Sequence, residues 1–550
     1  MRTSIMQQTK SKKIALLAAG ALVSLAISAM PTAARAADPA CATAGGVTSC
    51  QGATSDGAAY VMQVPANFNG VLMLYSHGYR YPVDIPAGIP VVGGYKVVKI
   101  AQQGPDAVVI GTLLKQGYGV AGSAFPIQGW NADAGVKSNV ELIGLFRKQF
   151  PATTKVAAWG SSLGGFITQA LAEKHPELVD AAAPMCPAIG SVEAELTMAG
   201  DVLWGMKTFF DPTIKAHNYS AGAAGYAEAM GDLVKVFTVL GKLQAGISSG
   251  AWPDSAGPAG TALASIPSRS ALLMVGLMAG LPAQSSHFDA TSGPGSANTA
   301  AYTSFALAAS PALAVLENIA NAAVLGVMAT YDVEQQAGGA VFDNSKTDYS
   351  ARVESDAAIF NAALSGSDAI SGMLAFLNPA NPAAPRWSAD AAAVTKMRAL
   401  ASHTGKINVP TIALASVADP VTPAGNVQWL ADRYAEQYAA QKAAALKEFR
   451  TTHEYTAPAK NFLAIWAPTP NTYTKFTATG APDTTVPGAN GTGHCNYTDA
   501  QMLAIANLVG TAAKTGVLKS GGPLTTLVRK AGGLSLDPKF RAPLLKFYGE

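Results

Sequence analysis

Histidine, cysteine and charge are all scarce in this 550-residue chain, which has seven His, four Cys and 13% charged residues. The scarcity excludes several functions. No C-x-x-C pair and no H-E-x-x-H occurs, so the ligand spacings of common zinc sites are missing, and neither a metal nor another cofactor is expected. Basic charge is not in excess either. The formal net charge is +3, but Arg2, Lys10, Lys12, Lys13 and Arg35 all fall in residues 1–36, which hold no acid. The remaining 33 basic residues face 35 acidic ones, so no nucleic-acid partner is expected. After residue 36 no run of 18 or more uninterrupted strongly apolar residues appears, and stable membrane insertion is not expected.

Apolar residues are plentiful, at 49% of the chain, which is enough to bury a large core and excludes wholesale disorder. The length suits two to four domain-sized units, or one domain carrying a large insertion. Residues 1–36 read as a secretory signal. Lys12 and Lys13 close a basic segment, Ile14 to Met30 is apolar, and Ala34-Arg35-Ala36 offers a small-x-small cleavage site. The expected mature protein is secreted or periplasmic. In such a compartment Cys41, Cys50, Cys186 and Cys495 point to two disulfides, with three possible pairings. Cys41 and Cys50 are close enough to close a small N-terminal loop, which would leave Cys186 with Cys495.

Gly70–Tyr75, Tyr118–Phe125 and Lys155–Trp159 are apolar runs that end in turn-forming residues, as buried parallel strands do. A helix is expected over Gly135–Phe150, and Ala181–Met185 and Thr411–Val417 supply further strands. The alternation predicts an α/β domain with a mostly parallel sheet. From about residue 187 to 404 the chain turns rich in Ala, Gly and Ser, with helix-like stretches at Val192–Phe210 and Val353–Ala375. The expected organisation is a core in two parts, 37–186 and 405–520, interrupted by a helical lid at 187–404. Residues 521–550 read as a basic, solvated tail.

Gly160-Ser161-Ser162-Leu163-Gly164 follows the run ending at Trp159 and precedes a helix-like stretch, Phe166–His175. In a G-x-S-x-G elbow the strand turns sharply into a helix and lifts the serine to the top of the sheet. A second match, Gly246-Ile247-Ser248-Ser249-Gly250, has neither strand before it nor helix after it, so Ser162 is the candidate nucleophile. A serine needs a base and an orienting acid. Asp419 stands just past the Thr411–Val417 run, and His494 lies on the Gly-rich loop Gly491–Gly493 before a helix-like segment, Thr498–Ala513. His453 is the fallback base. For the oxyanion, the donors expected are the backbone N–H of Leu163 and that of Tyr79, with Gly78 the alternative to the latter. His77 is expected to brace that loop.

His77-Gly78, the Ser162 elbow, Asp419-Pro420 with Pro423, and Gly493-His494-Cys495 together resemble the α/β-hydrolase superfamily, over about residues 55–186 and 405–515. The resemblance implies an eight-stranded, mostly parallel sheet and acyl-enzyme chemistry in the chain order Ser, Asp, His. The middle segment looks like the large helical lids that some secreted esterases carry. The His494-Cys495 pair is similar to that of tannases and feruloyl esterases, in which the cysteine is disulfide-linked to one beside the nucleophile. Here Ser161 holds that position, and Cys186 is the cysteine expected to pair with Cys495. Asp419-Pro420-Val421-Thr422-Pro423 also resembles the tripeptidyl-type aminopeptidases.

Three functions remain in view. The first is a serine esterase acting on a small, oligomeric or polymeric ester, with Trp204, Phe209, Phe210 and Trp252 either lining an acyl pocket or forming lid core. The second is an aminopeptidase gripping a peptide amino group with Glu193, Glu195 or Asp201. The third is a binding protein on a hydrolase scaffold, which would not need a full set of triad residues.

Overall fold

In the computed structural model, residues 38–90, 93–130, 132–292, 309–363, 366–400, 403–477 and 483–549 are described. The expected leader, 1–36, lies outside them.

Nine strands form one sheet: β1 (Ala40–Ala44), β2 (Val47–Ala53), β3 (Ala59–Pro65), β4 (Val71–Ser76), β5 (Gly119–Ser123), β6 (Lys155–Ser161), β7 (Ala181–Met185), β8 (Thr411–Ser416) and β9 (Phe462–Ala467). Their spatial order is β1-β2-β3-β5-β4-β6-β7-β8-β9. The first three are antiparallel and β3 meets β5 antiparallel; from β5 to β9 every pairing is parallel. The chain goes from β4 outward to β5 and returns past β4 to β6. That reversal is a topological switch point, where open α/β sheets bind ligands beyond the carboxyl ends of their strands.

Strand alternation explains the layering. Leu72 and Leu74 of β4, with Val156 and Ala158 of β6, pack on α2 (Ala132–Gln149) and α3 (Leu163–Lys174). Val71, Met73, Ala157 and Trp159 face the opposite way, onto α1 (Ala107–Lys115) and a late helix, Asp499–Thr515. Both faces of these two central strands are therefore covered, and β4 and β6 each read as a continuous apolar run. Trp159 and Phe146 are wholly buried, and such side chains contribute about 1.5–3 kcal/mol each.

Between β7 and β8, residues 192–399 form nine α-helices and no strand among the described residues. These are α4 (Val192–Phe209), α5 (Gly222–Ala245), α6 (Gly257–Ala262), α7 (Ser268–Ala279), α8 (Ser310–Ala337), α9 (Tyr349–Glu354), α10 (Ala357–Ala363), α11 (Gly366–Phe376) and α12 (Ala391–Ala399). By length and composition α8 could cross a membrane, yet 67% of its apolar stretch is buried inside the protein. The insertion has its own core, but the sheet and the helices belong to one compact unit, Ala36–Glu550. The remaining helices are α13 (Gly425–Thr452), α14 (Asp499–Thr515) and α15 (Gly521–Ala531). Strand order, a strand–turn–helix at Ser162 and two covered faces give the α/β-hydrolase fold.

Several expectations need correcting. The Cys41–Cys50 disulfide is not among them: it forms, and it closes the short β1–β2 hairpin by joining directly opposed residues. The stretch Val353–Ala375 is not one helix but parts of three, α9 to α11. Residues 521–550 are no solvated tail. Ser535 bridges to Trp466 of β9, Ala542 and Leu545 are buried, and the Tyr548 hydroxyl accepts the Ser191 N–H at 3.0 Å. Arg529, Lys530, Lys539 and Arg541 stay exposed, but Lys546 is partly covered and pairs with Asp356 at 2.6 Å.

Candidate active site

The candidate residues converge on the carboxyl edge of the sheet because each follows a different strand. Gly78 follows β4, Ser162 follows β6, Cys186 follows β7, Asp419 follows β8, and His494 lies on the loop between β9 and α14.

Ser162 has φ 60° and ψ −128°, a conformation a non-glycine residue rarely holds. Such strain costs about 1–3 kcal/mol. It is offset by the Ser162 N–H donating to the Met185 carbonyl at 3.0 Å and by the Ser162 carbonyl accepting from Gly165 and Phe166. The glycines are required by close approach. A Cβ on Gly164 would stand 2.0 Å from the Ser76 carbonyl oxygen, and one on Gly160 2.5 Å from it. The second pentapeptide, by contrast, lies in a turn after α5 with Ser248 exposed.

His494 Nε2 is 2.9 Å from Ser162 Oγ, and His494 Nδ1 lies 3.0 Å and 3.1 Å from the two Asp419 oxygens. Asp419 is fully buried. Its Oδ1 accepts the N–H groups of Val421 and Thr422 at 2.8 and 3.0 Å, and Oδ2 that of Cys495 at 3.3 Å. A carboxylate accepts only, so Nδ1 carries the imidazole hydrogen and the Nε2 lone pair of the neutral ring faces the serine hydroxyl.

Two devices hold the histidine loop. One is the Cys186–Cys495 disulfide, spanning 309 residues. The other is the parallel bridge of Ala418 with Thr492, in which Ala418 N–H donates to Gly491 O and Gly493 N–H to Ala418 O. Thr422 was not singled out from sequence, although a Thr three residues after an Asp is a turn signal. Its hydroxyl lies 2.9 Å from the Cys186 carbonyl and 3.1 Å from Asp419 Oδ2.

Neither expected oxyanion donor, the Leu163 nor the Tyr79 N–H, has a backbone acceptor among the described residues. Gly78 lies so close over the elbow that a Cβ there would be 3.2 Å from Ser162 Cβ. The Tyr79 side chain is tied down from afar: its hydroxyl donates to Asp332 Oδ2 of α8 at 3.0 Å, and the same carboxyl accepts from the Trp130 N–H and Gln336. No sequence signal links Asp332 to this loop. His77 is buried, its Nδ1 2.7 Å from the Gly78 carbonyl, and burial lowers it to about 4. The fallback base, His453, is exposed and caps the end of α13.

Ser162 and Leu163 open onto a cavity of about 90 Å³. Its wall is almost wholly aliphatic, with Leu196, Val202, Leu203, Val236, Ile319 and Ala323 contributed by the insertion. Trp204, Phe209, Phe210 and Trp252 are not part of it; they pack in or against the insertion's core. Trp204 stacks on Tyr349 with its indole N–H on the Pro385 carbonyl, which turns the ring away. Of the three acids at the start of the insertion, Glu193 pairs with Arg398, and Asp201 with Arg352 and Tyr349; Glu195 alone lines the cavity. Asp419, His494 and Cys495 gather a carboxylate, an imidazole and a sulfur within 4.8 Å. The sulfur is spent in a disulfide and both ring nitrogens are engaged, so the trio does not make a metal cage.

No family model matches the chain. A curated relative, an o-phthalyl amidase from Xanthobacter agilis, is 26% identical over 159 residues, and the match spans 28% of each chain. Among solved structures, an esterase from Aspergillus oryzae is similar at 14% identity and a TM-score of 0.31, covering 76% of this chain and 71% of that one. The rice cell wall degrading esterase LipA from Xanthomonas oryzae, in a ligand-bound form, is similar at 12% identity and a TM-score of 0.28, covering 71% and 80%. Strand order and the Ser162 elbow, rather than these likenesses, carry the assignment: the chain has the α/β-hydrolase fold.

Proposed function

We propose that this protein is a secreted serine hydrolase that cleaves carboxylic esters through an acyl-enzyme on Ser162. The observation that carries the reading is the unbroken line from Ser162 Oγ through His494 to the buried Asp419. Ser162 Oγ attacks the ester carbonyl as His494 Nε2 takes its proton. Asp419 holds the imidazolium that forms, and the Leu163 and Tyr79 N–H groups receive the developing oxyanion. His494 then returns the proton to the leaving alcohol, and water repeats the sequence to free the acid. The aliphatic wall suits a hydrophobic acyl or aryl group, from a small, oligomeric or polymeric ester. Two disulfides fit an oxidising compartment, which agrees with the reading of residues 1–36 as an export signal.

The aminopeptidase reading needs carboxylates for an amino group. Glu193 and Asp201 are already paired, so that grip is reduced to Glu195. Amide cleavage by the same acyl-enzyme remains the second reading, supported by the likeness of a quarter of the chain to an amidase. The test is turnover of p-nitrophenyl butyrate by the parent and by Ser162→Ala. Loss of several powers of ten in the variant supports the reading; equal activity in both overturns it. Faster cleavage of an acyl anilide than of the ester favours the amidase.

A further inference from the structure

Glu195 is a carboxyl group set in an otherwise apolar wall. It lies on α4, is 8% exposed, and lines the same cavity as Ser162 and Thr422. The triad does not use it, and no ion pair holds it: its side-chain partner among the described residues is the amide of Asn426. A buried carboxyl without a cation is costly in its charged form.

The partners of Asn426 fix where the proton sits. Asn426 Nδ2 has two hydrogens, one on the Pro187 carbonyl at 3.1 Å and the other on Glu195 Oε1. Flipping the amide would set its oxygen against the Pro187 carbonyl, so the orientation is determined. Both hydrogens are spent, and Oε1 is an acceptor. In the neutral acid the hydroxyl must then be on Oε2, which takes no hydrogen bond among the described residues. The charged or titratable groups acting on Glu195 are Asp419, whose charge opposes its ionisation, and Tyr548. Burial first, and Asp419 after it, raise Glu195 to about 8, so the hydroxyl is present at neutral pH. A second unused donor lies on the same wall. The indole N–H of Trp130 is buried without a protein partner.

We propose that Glu195 is a specificity-determining residue: it donates a hydrogen bond through Oε2 to a neutral acceptor oxygen on the substrate's acyl group, so the preferred esters carry a ketone, ether or hydroxyl oxygen on an otherwise apolar chain. The proposal rests on the esterase reading above and narrows its substrate class. It also disfavours acyl groups bearing a carboxylate, which would lose their hydration in an apolar wall that holds no cation.

The test pairs p-nitrophenyl esters whose acyl chains carry a ketone at successive positions with isosteres in which a methyl branch replaces the ketone oxygen, such as levulinate against isocaproate. The parent is expected to prefer at least one keto member by about tenfold or more in kcat/KM at pH 7. Glu195→Leu is expected to abolish that ratio. Glu195→Gln is expected to keep it, since an amide N–H replaces the hydroxyl. In the parent the ratio collapses as pH rises through 8, and in Glu195→Gln it does not. A ratio that is near one throughout, or unchanged in Glu195→Leu, overturns the proposal. Infrared difference spectra of parent minus Glu195→Gln test the hydrogen bond without turnover. A protonated-carboxyl band that shifts on adding levulinamide but not isocaproamide supports it, and no band or no shift overturns it. If neither ester series is cleaved above the Ser162→Ala background, the esterase reading fails, and the spectra still show whether Glu195 donates to a keto oxygen.

Discussion

Cys186 and Cys495, 309 residues apart in sequence, are joined at the end of β7 with their Cα atoms 5.5 Å apart, and the second is the immediate neighbour of His494. The link stabilises the fold and sets the position of the base. Replacing both by Ser is expected to lower stability by about 2–4 kcal/mol, read as a lower guanidinium midpoint, and to reduce kcat while KM changes little. If kcat holds while the midpoint falls, the Ala418–Thr492 bridge alone is enough to place the histidine.

Asp419 receives three backbone N–H groups besides His494, so its carboxylate is fixed before the histidine meets it. Asp419→Asn puts an amide where Nδ1 needs an acceptor and favours the tautomer with its hydrogen on Nε2. A fall of about 10⁴ in kcat is expected, with circular dichroism and Tm close to the parent. A loss below tenfold would mean that Asp419 does not orient the base.

Much of this site could be read in the sequence because its residues stand at the ends of apolar runs. Ser162 and Asp419 each close a strand whose both faces are buried, and His494 follows two glycines that permit a tight loop. The wall of the cavity could not be read that way. Leu196 and Ile319 share it although more than a hundred residues separate them, and Trp204 turns away because Tyr349 and Pro385 hold it. Helix periodicity shows that a face is buried but not against what. The β1–β2 hairpin escaped for a different reason: its Ala and Gly residues carry little strand propensity, and cross-strand pairing with its disulfide makes it a strand.

Asp332 connects the insertion to the loop that bears the expected oxyanion donor. Its carboxyl accepts the Tyr79 hydroxyl, the Trp130 N–H and Gln336 Nε2. Asp332→Ala strands these donors, at about 1–3 kcal/mol for a buried one left unpaired, and frees the Tyr79 ring. Urea denaturation should show that loss, and kcat should fall by roughly tenfold because a donor is displaced rather than removed. Tyr79→Phe loses one hydroxyl and keeps the ring, so its effect should be smaller on both measures. Equal kcat in all three proteins would separate α8 from the oxyanion loop.

Gly164→Ala tests the elbow by space alone. The added Cβ would lie 2.0 Å from the Ser76 carbonyl and 2.6 Å from that of His77, both backbone atoms at the end of the central strand. The strand and helix must separate, so a loss of several degrees in Tm and of nearly all activity is expected. A variant with parental Tm and kcat would show that the elbow is looser than its backbone contacts imply.

Burial of Glu195 gives stability a pH dependence of definite sign. Between its ordinary value of 4.5 and about 8 the folded protein keeps a proton there while the unfolded chain has released it. The folded state binds more protons in that window, so stability is fully present below about 4.5, falls as pH rises, and levels off above about 8. Glu195→Gln has no such proton to lose. Glu334, raised by burial to about 7, contributes a similar slope to both proteins and cancels in the comparison. The Tm of Glu195→Gln minus that of the parent should therefore grow from pH 4.5 to pH 8 and then stay level, measured by differential scanning fluorimetry in a constant-ionic-strength buffer series. Parallel Tm curves would mean that Glu195 ionises in the folded protein as readily as in the unfolded chain, and the neutral hydroxyl facing the cavity would be lost with it.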